Sequence, residues 1–145
     1  MPEILLAEDN PADVYLIREA LREHHVDCAV RIASDGQQVL RILAEADRAA
    51  GTPYPSLIIL DLNLPRHDGI EILQRLRQTP DMRPVPVVVL TSSDSPRDRE
   101  AASQLGVSQF LRKPSSLDEF LGLGRIFKTL LAQAATPGHP ASEPA

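Results

Sequence analysis

The chain predicts a doubly wound α/β domain, a five-stranded parallel sheet with helices on both faces. Three observations carry this. Strand-like and helix-like segments alternate along the whole chain across short connections, the pattern of right-handed βαβ crossovers. The runs EILLAE, LIIL and PVVVL are apolar at consecutive rather than alternate positions, as strands covered on both faces are. Finally, 145 residues with 43% hydrophobic content suit one domain with an ordinary core.

Each element has its own signal. Residues 3–8, EILLAE, form the first strand. Asn10 and Pro11 supply an N-cap and a first-turn residue, and Val14, Leu16, Ile17, Ala20 and Leu21 give the following helix an apolar face. β-Branched residues mark a second strand over about 27–33, and Val39, Leu40, Ile42 and Leu43 mark a helix over about 36–48. LIIL at 57–60 is the third strand, with a helix over about 67–78 behind it. PVVVL at 86–90 is the fourth, and Ser95-Pro96 opens the next helix. VSQFL at 107–111 is the fifth strand, and Ser116 with Glu119 forms a capping box for a last helix running to about residue 132. The Ala- and Pro-rich residues 133–145 read as a disordered tail, leaving 1–132 as the domain.

Composition narrows the function. A net charge of −5 offers no basic face to a nucleic acid or an anionic membrane. The apolar runs are far shorter than the roughly 20 residues of a membrane span, and MPEILLAED has no basic stretch before its apolar one. The single cysteine, Cys28, permits no internal disulfide. A cytoplasmic location is the expectation.

In an open parallel sheet, ligands bind beyond the carboxyl ends of the strands. The first strand delivers Glu8 and Asp9 there, the third Asp61 and then Asn63, the fourth Thr91, Ser92 and Ser93, and the fifth Lys113 before Pro114. Crowded carboxylates repel one another. A hard divalent cation such as Mg²⁺ relieves that repulsion and also binds phosphoryl oxygens, with an ammonium and a hydroxyl neutralising the remainder. Asp61 would then be the nucleophile of an aspartyl-phosphate. Taken singly, Glu8-Asp9 suits the dipole of the helix behind it, Thr91 suits a turn, and Lys113 suits a solvated surface. Four strands ending in matching chemistry outweigh those separate readings.

The segments LLAEDN, LDLNLPRHDG, VVLTSS and FLRKP, in this order and spacing, resemble the response-regulator receiver domain over about residues 3 to 132. The resemblance implies a flavodoxin-like sheet of order 2-1-3-4-5 with five helices. It makes Asp61 the phosphoacceptor for a histidine kinase. Asp9 would ligate Mg²⁺ directly, Glu8 through water, and Asn63 through its backbone carbonyl. Thr91, Ser92 and Lys113 would bind phosphoryl oxygens, and Lys113–Pro114 would be a cis peptide. LLAEDNPADVYLIREAL and DLNLPRHDG further resemble the short receivers that accompany bacterial phytochromes. One position departs from the pattern: Phe110 stands where a tyrosine is common, so a switch there works through packing rather than a hydroxyl.

Two other functions share this fold. An aspartate-nucleophile, metal-dependent phosphohydrolase keeps an acid two positions after the nucleophile, where this chain has Asn63. A flavin carrier needs aromatic residues at the strand ends, and only Tyr54, on the far side, is near any such loop. His24 and His25 lack a zinc-ligand neighbourhood, His67 in the Asp61 loop is expected to face solvent, and Cys28 is expected to pack. In the last helix, Leu117, Phe120, Leu121, Leu123, Ile126, Phe127, Leu130 and Leu131 cover an arc of roughly 220°, beyond the stripe one sheet face covers. That surplus predicts a homodimer with Phe120, Ile126, Phe127 and Leu130 on its face.

Overall fold

The computed structural model describes residues 1–48 and 54–134. The elements are β1 (Glu3–Ala7), α1 (Pro11–Glu23), β2 (Ala29–Ala33), α2 (Gly36–Arg48), β3 (Leu57–Leu60), α3 (Gly69–Gln78), a 3₁₀ turn (Pro80–Met82), β4 (Val87–Thr91), α4 (Pro96–Gln104), β5 (Gln109–Arg112), α5 (Leu117–Gly122) and α6 (Gly124–Ala134). All strand pairs are parallel, in the order β2-β1-β3-β4-β5. The expected fold is the observed one. The expected tail lies outside the described residues except for Gln133 and Ala134, which close α6.

Strand parity divides the core into two layers. Leu5, Ala7, Ile58, Leu60, Val87 and Val89 face α2, α3 and α4. Ile4, Leu6, Leu57, Ile59, Val88 and Leu90 face α1, α5 and α6. β3 and β4 are buried at every position, which is why neither shows a period of two in its sequence. Helix starts are fixed by side-chain caps. Asn10 Oδ1 accepts from the N–H of Ala12 at 2.8 Å and of Asp13 at 3.3 Å, and Ser116 Oγ accepts from the Glu119 N–H at 3.1 Å.

The element boundaries differ from expectation in three places. α3 starts at Gly69, because Asp68 is its N-cap and accepts from the Ile70 N–H. β5 begins two residues late, since Gly106 adopts φ 74° and the chain is still turning after α4. The last helix divides around Leu123 into α5 and α6.

That division changes the reading of the last helix's apolar arc. Gly124 lies so close to the Ala20 carbonyl and the His24 ring of α1 that no Cβ fits. α1 thereby covers a second side of the arc, which the sequence argument left to another copy of the chain. Phe120 and Phe127 are buried within this chain's own core, so they are not on a dimer face. Ile126 and Leu130 are half-buried against the same core, while Leu117 stays 59% exposed.

Candidate functional site

The sheet ladder carries its hydrogen bonds one residue past the strand ends, and that extension aligns the polar residues. The Glu8 N–H donates to the Ala33 carbonyl at 3.0 Å, the Asp61 N–H to Ala7 at 3.0 Å, and the Lys113 N–H to Thr91 at 2.8 Å. Backbone that is still strand-like therefore presents Glu8, Asp61, Thr91 and Lys113 along one edge. The apolar strands fix where the chemistry sits.

Lys113 is the hub. Its Nζ donates to Asp13 Oδ2 at 2.7 Å and to Asp61 Oδ2 at 2.9 Å, and lies 2.9 Å from Glu8 Oε1. Burial alone would lower the ammonium's pKa, but the bonds to Asp13, Asp61 and Glu8 outweigh it and hold it above the ordinary lysine range. Glu8 is buried, and that burial raises its pKa more than Lys113 and the Asn10 N–H on Oε2 (3.1 Å) lower it. The other Asp61 side-chain contact is short and local: Oδ1 accepts the Asn63 N–H at 3.0 Å.

Glu8, Asp9 and Asp61 each offer a carboxylate oxygen, and the three oxygens lie within 4.8 Å of one another. Two of these acids are buried and Asp9 is exposed. An all-oxygen donor set this close, with an open side at Asp9, fits a hard divalent cation that keeps some of its water. The residues that sequence reasoning assigned to a metal are thus brought together by their side chains, apart from Asn63, which the structure ties to the site through its N–H.

The second half of the site is neutral. Thr91 is fully buried, and its Oγ1 accepts from Asn63 Nδ2 and from the Ser93 N–H, both at 3.3 Å. Ser92 is exposed at the rim. Its neighbour Ser93 turns away to donate to Asp98 Oδ2 at 3.0 Å. Phe110 is half-buried on the same sheet face as Thr91, with the Arg99 guanidinium 4.6 Å above its ring. The Lys113–Pro114 bond is trans, as no described residue has a cis peptide. Trans is the lower-energy isomer for X–Pro, and Lys113 reaches all three carboxylates with it.

The loop after Asp61 is strapped down on both sides. Gly69 passes Leu62 so closely that a Cβ would lie 2.5 Å from the Leu62 Cα, and the Gly69 N–H bonds the Leu62 carbonyl. Glycine closes LIILDLNLPRHDG for that reason. Pro65 O accepts from the Gly36 N–H at 2.9 Å, and Arg66, at φ 77°, reaches Asp35 and Gln37. His67, expected to face solvent, is half-buried 3.4 Å from Glu71. Cys28 is half-buried in a groove between α1 and β2, and burial pushes its thiol pKa up.

The one charged member missed by sequence reasoning is Asp13. Its signal was available: Asn10 and Pro11 place it in the first turn of α1, and α1 begins where β1 delivers Glu8 and Asp9.

A family model described as response regulator receiver domain matches residues 4–123. Response regulator Rcp1 of Synechocystis sp. is 40% identical over 80% of this chain and 79% of its own length. Response regulator MprA of Mycolicibacterium vanbaalenii is 35% identical over 98% of this chain but only 55% of its own. Among solved structures, the phosphorylated cyanobacterial phytochrome response regulator RcpA superposes with a TM-score of 0.81 at 33% identity, covering 93% of this chain and 96% of that one. The Mn²⁺-bound form of Rcp1 gives 0.75 at 34%, covering both chains fully. With the family model spanning residues 4–123 and Rcp1 40% identical over 80% of this chain, this chain belongs to the response regulator receiver family.

Proposed function

We propose that Asp61 accepts a phosphoryl group from the phosphohistidine of a partner kinase, and that the adduct changes which proteins this chain contacts. The observation that carries this is the placement of Asp61. One carboxylate oxygen is held by the Asn63 N–H and the other by Lys113, with Glu8 and Asp9 alongside. Oδ2 attacks phosphorus, the bond to the donor imidazole breaks, and the imidazole leaves with the electron pair. Lys113, already at Oδ2, then meets the new phosphoryl oxygens, and Thr91 turns its hydroxyl from Asn63 toward them. Glu8, Asp9, Asp61 and the Asn63 carbonyl would hold Mg²⁺, which when bound neutralises charge on the transferring group. Ser92 sits at the same rim, and Phe110 would repack as Thr91 moves.

Asn63 favours a stoichiometric acceptor over a phosphohydrolase, because it stands two positions after the nucleophile, where such hydrolases keep an acid. The likeness to a phytochrome response regulator supports a kinase of the phytochrome class as the donor. No helix among the described residues is long and apolar enough to cross a membrane, which fits a cytoplasmic role. A homodimer through α4, β5, α5 and α6 stays part of this reading on a reduced surface of Leu117, Ile126 and Leu130, with Arg97, Arg99 and Glu100 supplying charges of both signs. Incubation with acetyl phosphate and Mg²⁺ tests the proposal. One acid-labile phosphoryl group per chain supports it; continuous release of phosphate without an adduct would support the hydrolase instead.

A further inference from the structure

Lys113 and a divalent cation compete for the same oxygens. Two of the three acids placed to hold the cation, Glu8 and Asp61, are also two of the three acids on Lys113. A hub lysine in that position would oppose the cation that its own site needs. The third acid, Asp13, differs from the others. It lies outside the cluster that fits the cation, its contact is the shortest of the three at 2.7 Å, and it belongs to α1 rather than to a strand end. Its backbone is fixed by the cap, since the Asp13 N–H donates to Asn10 Oδ1 at 3.3 Å. β5 lies three strands away from β1 in the sheet, so the Lys113 chain reaches over Asp61 to meet Asp13 on the far side.

We propose that Asp13 is a positioning residue that holds Lys113 in reserve. It gives the ammonium a charged acceptor that the cation does not use. When the cation takes Glu8 and Asp61, Lys113 keeps its bond to Asp13 and is left with free donors aimed at the position of the phosphoryl oxygens. Without Asp13, the ammonium settles on Glu8 and Asp61 and displaces the cation. This rests on the reading of Glu8, Asp9 and Asp61 as the cation site, and it assigns to Asp13 a task distinct from ligation.

The test is a double-mutant cycle in Mg²⁺ affinity, measured by calorimetry on unphosphorylated protein in the wild type, Asp13→Asn, Lys113→Ala and the double variant. Asp13→Asn is expected to weaken Mg²⁺ binding by roughly fivefold or more, the low end for coupled sites. In the Lys113→Ala background the same change is expected to lose most of its effect, and Asp13→Glu is expected to recover most of the wild-type affinity. Circular dichroism confirms that each variant is folded, which the retained Asn10 cap favours. An equal factor in both backgrounds would mean that Asp13 acts by its own charge and would overturn the proposal, as would an unchanged affinity in Asp13→Asn. A wild type whose Mg²⁺ binding is indifferent to Asp9→Ala would instead overturn the cation site itself, and this inference with it.

Discussion

The two halves of the strand-end site are built to different tolerances. On the acid side, Lys113 is within 2.9 Å of three carboxylates, and the buried Glu8 has a partner for each oxygen. On the switch side, Thr91 is equally buried but has two contacts of 3.3 Å, and Phe110 is covered by one exposed arginine. Charge-assisted bonds in low dielectric are short and about twice as strong as neutral ones, so the acid side resists displacement and the switch side yields. Among the described residues, one side-chain bond joins the halves, from Asn63 Nδ2 to Thr91 Oγ1, and the Asn63 N–H also holds Asp61. A change at Asp61 is therefore felt by Lys113, whose own N–H bonds the Thr91 carbonyl, and reaches the Thr91 hydroxyl through Asn63.

Substitutions break this comparison in graded ways. Asp61→Asn is expected to abolish the phosphoryl adduct completely. Its melting temperature in Mg²⁺-free buffer should not fall, because losing one of four neighbouring negative charges offsets the loss of one acceptor, a single amide oxygen replacing the two oxygens that serve Lys113 and the Asn63 N–H. Thermal melts beside phosphorylation assays check both parts.

Lys113→Ala attacks the hub itself. It strands Glu8, Asp13 and Asp61 together, which should cost about 3 kcal/mol in Mg²⁺-free buffer and slow phosphorylation strongly. Mg²⁺ should recover much of that stability and bind more tightly than to wild type, as a competing cation has been removed. Denaturant titrations with and without Mg²⁺ measure the recovery.

Asp9→Ala touches an exposed acid with no part in the Lys113 network, so stability without metal should barely change. Saturating Mg²⁺ stabilises wild type by about 2.7 kcal/mol at a concentration of 100 Kd, and this variant should lose most of that gain. Equal responses in the two proteins would move the cation elsewhere.

Thr91→Ala has the smallest effect on chemistry. It leaves Asn63 Nδ2 and the Ser93 N–H without their acceptor, at a cost of about 1 kcal/mol, and leaves adduct formation largely intact. The spectral or oligomeric change that follows phosphorylation should shrink. An undiminished change would place the switch outside Thr91.

The acid side was the more legible half in the sequence. An apolar run such as LIIL that ends on Asp61 is costly without a purpose, and topology alone carries Glu8, Asp9, Asp61 and Lys113 to one edge. Asp13 escaped because a first-turn acid reads as a dipole partner, and its bond to Lys113 spans 100 positions in the chain. The same blindness to distant partners produced the Phe120 and Phe127 error: periodicity measured the width of the apolar arc but not that α1, more than 100 positions upstream in register with Gly124 and Ala20, covers its second side. The Lys113–Pro114 isomer came from family resemblance, and no physical term in the sequence required it.

The central claim is that Asp61 carries the phosphoryl group. The most direct test is fragment mass analysis of wild-type protein after reaction with acetyl phosphate and Mg²⁺. One phosphoryl group on the fragment containing residues 57–69, localised to Asp61 and absent when Asp61 is asparagine, is the predicted result. An adduct of similar yield on Asp9, Asp13 or any residue outside that fragment would contradict it.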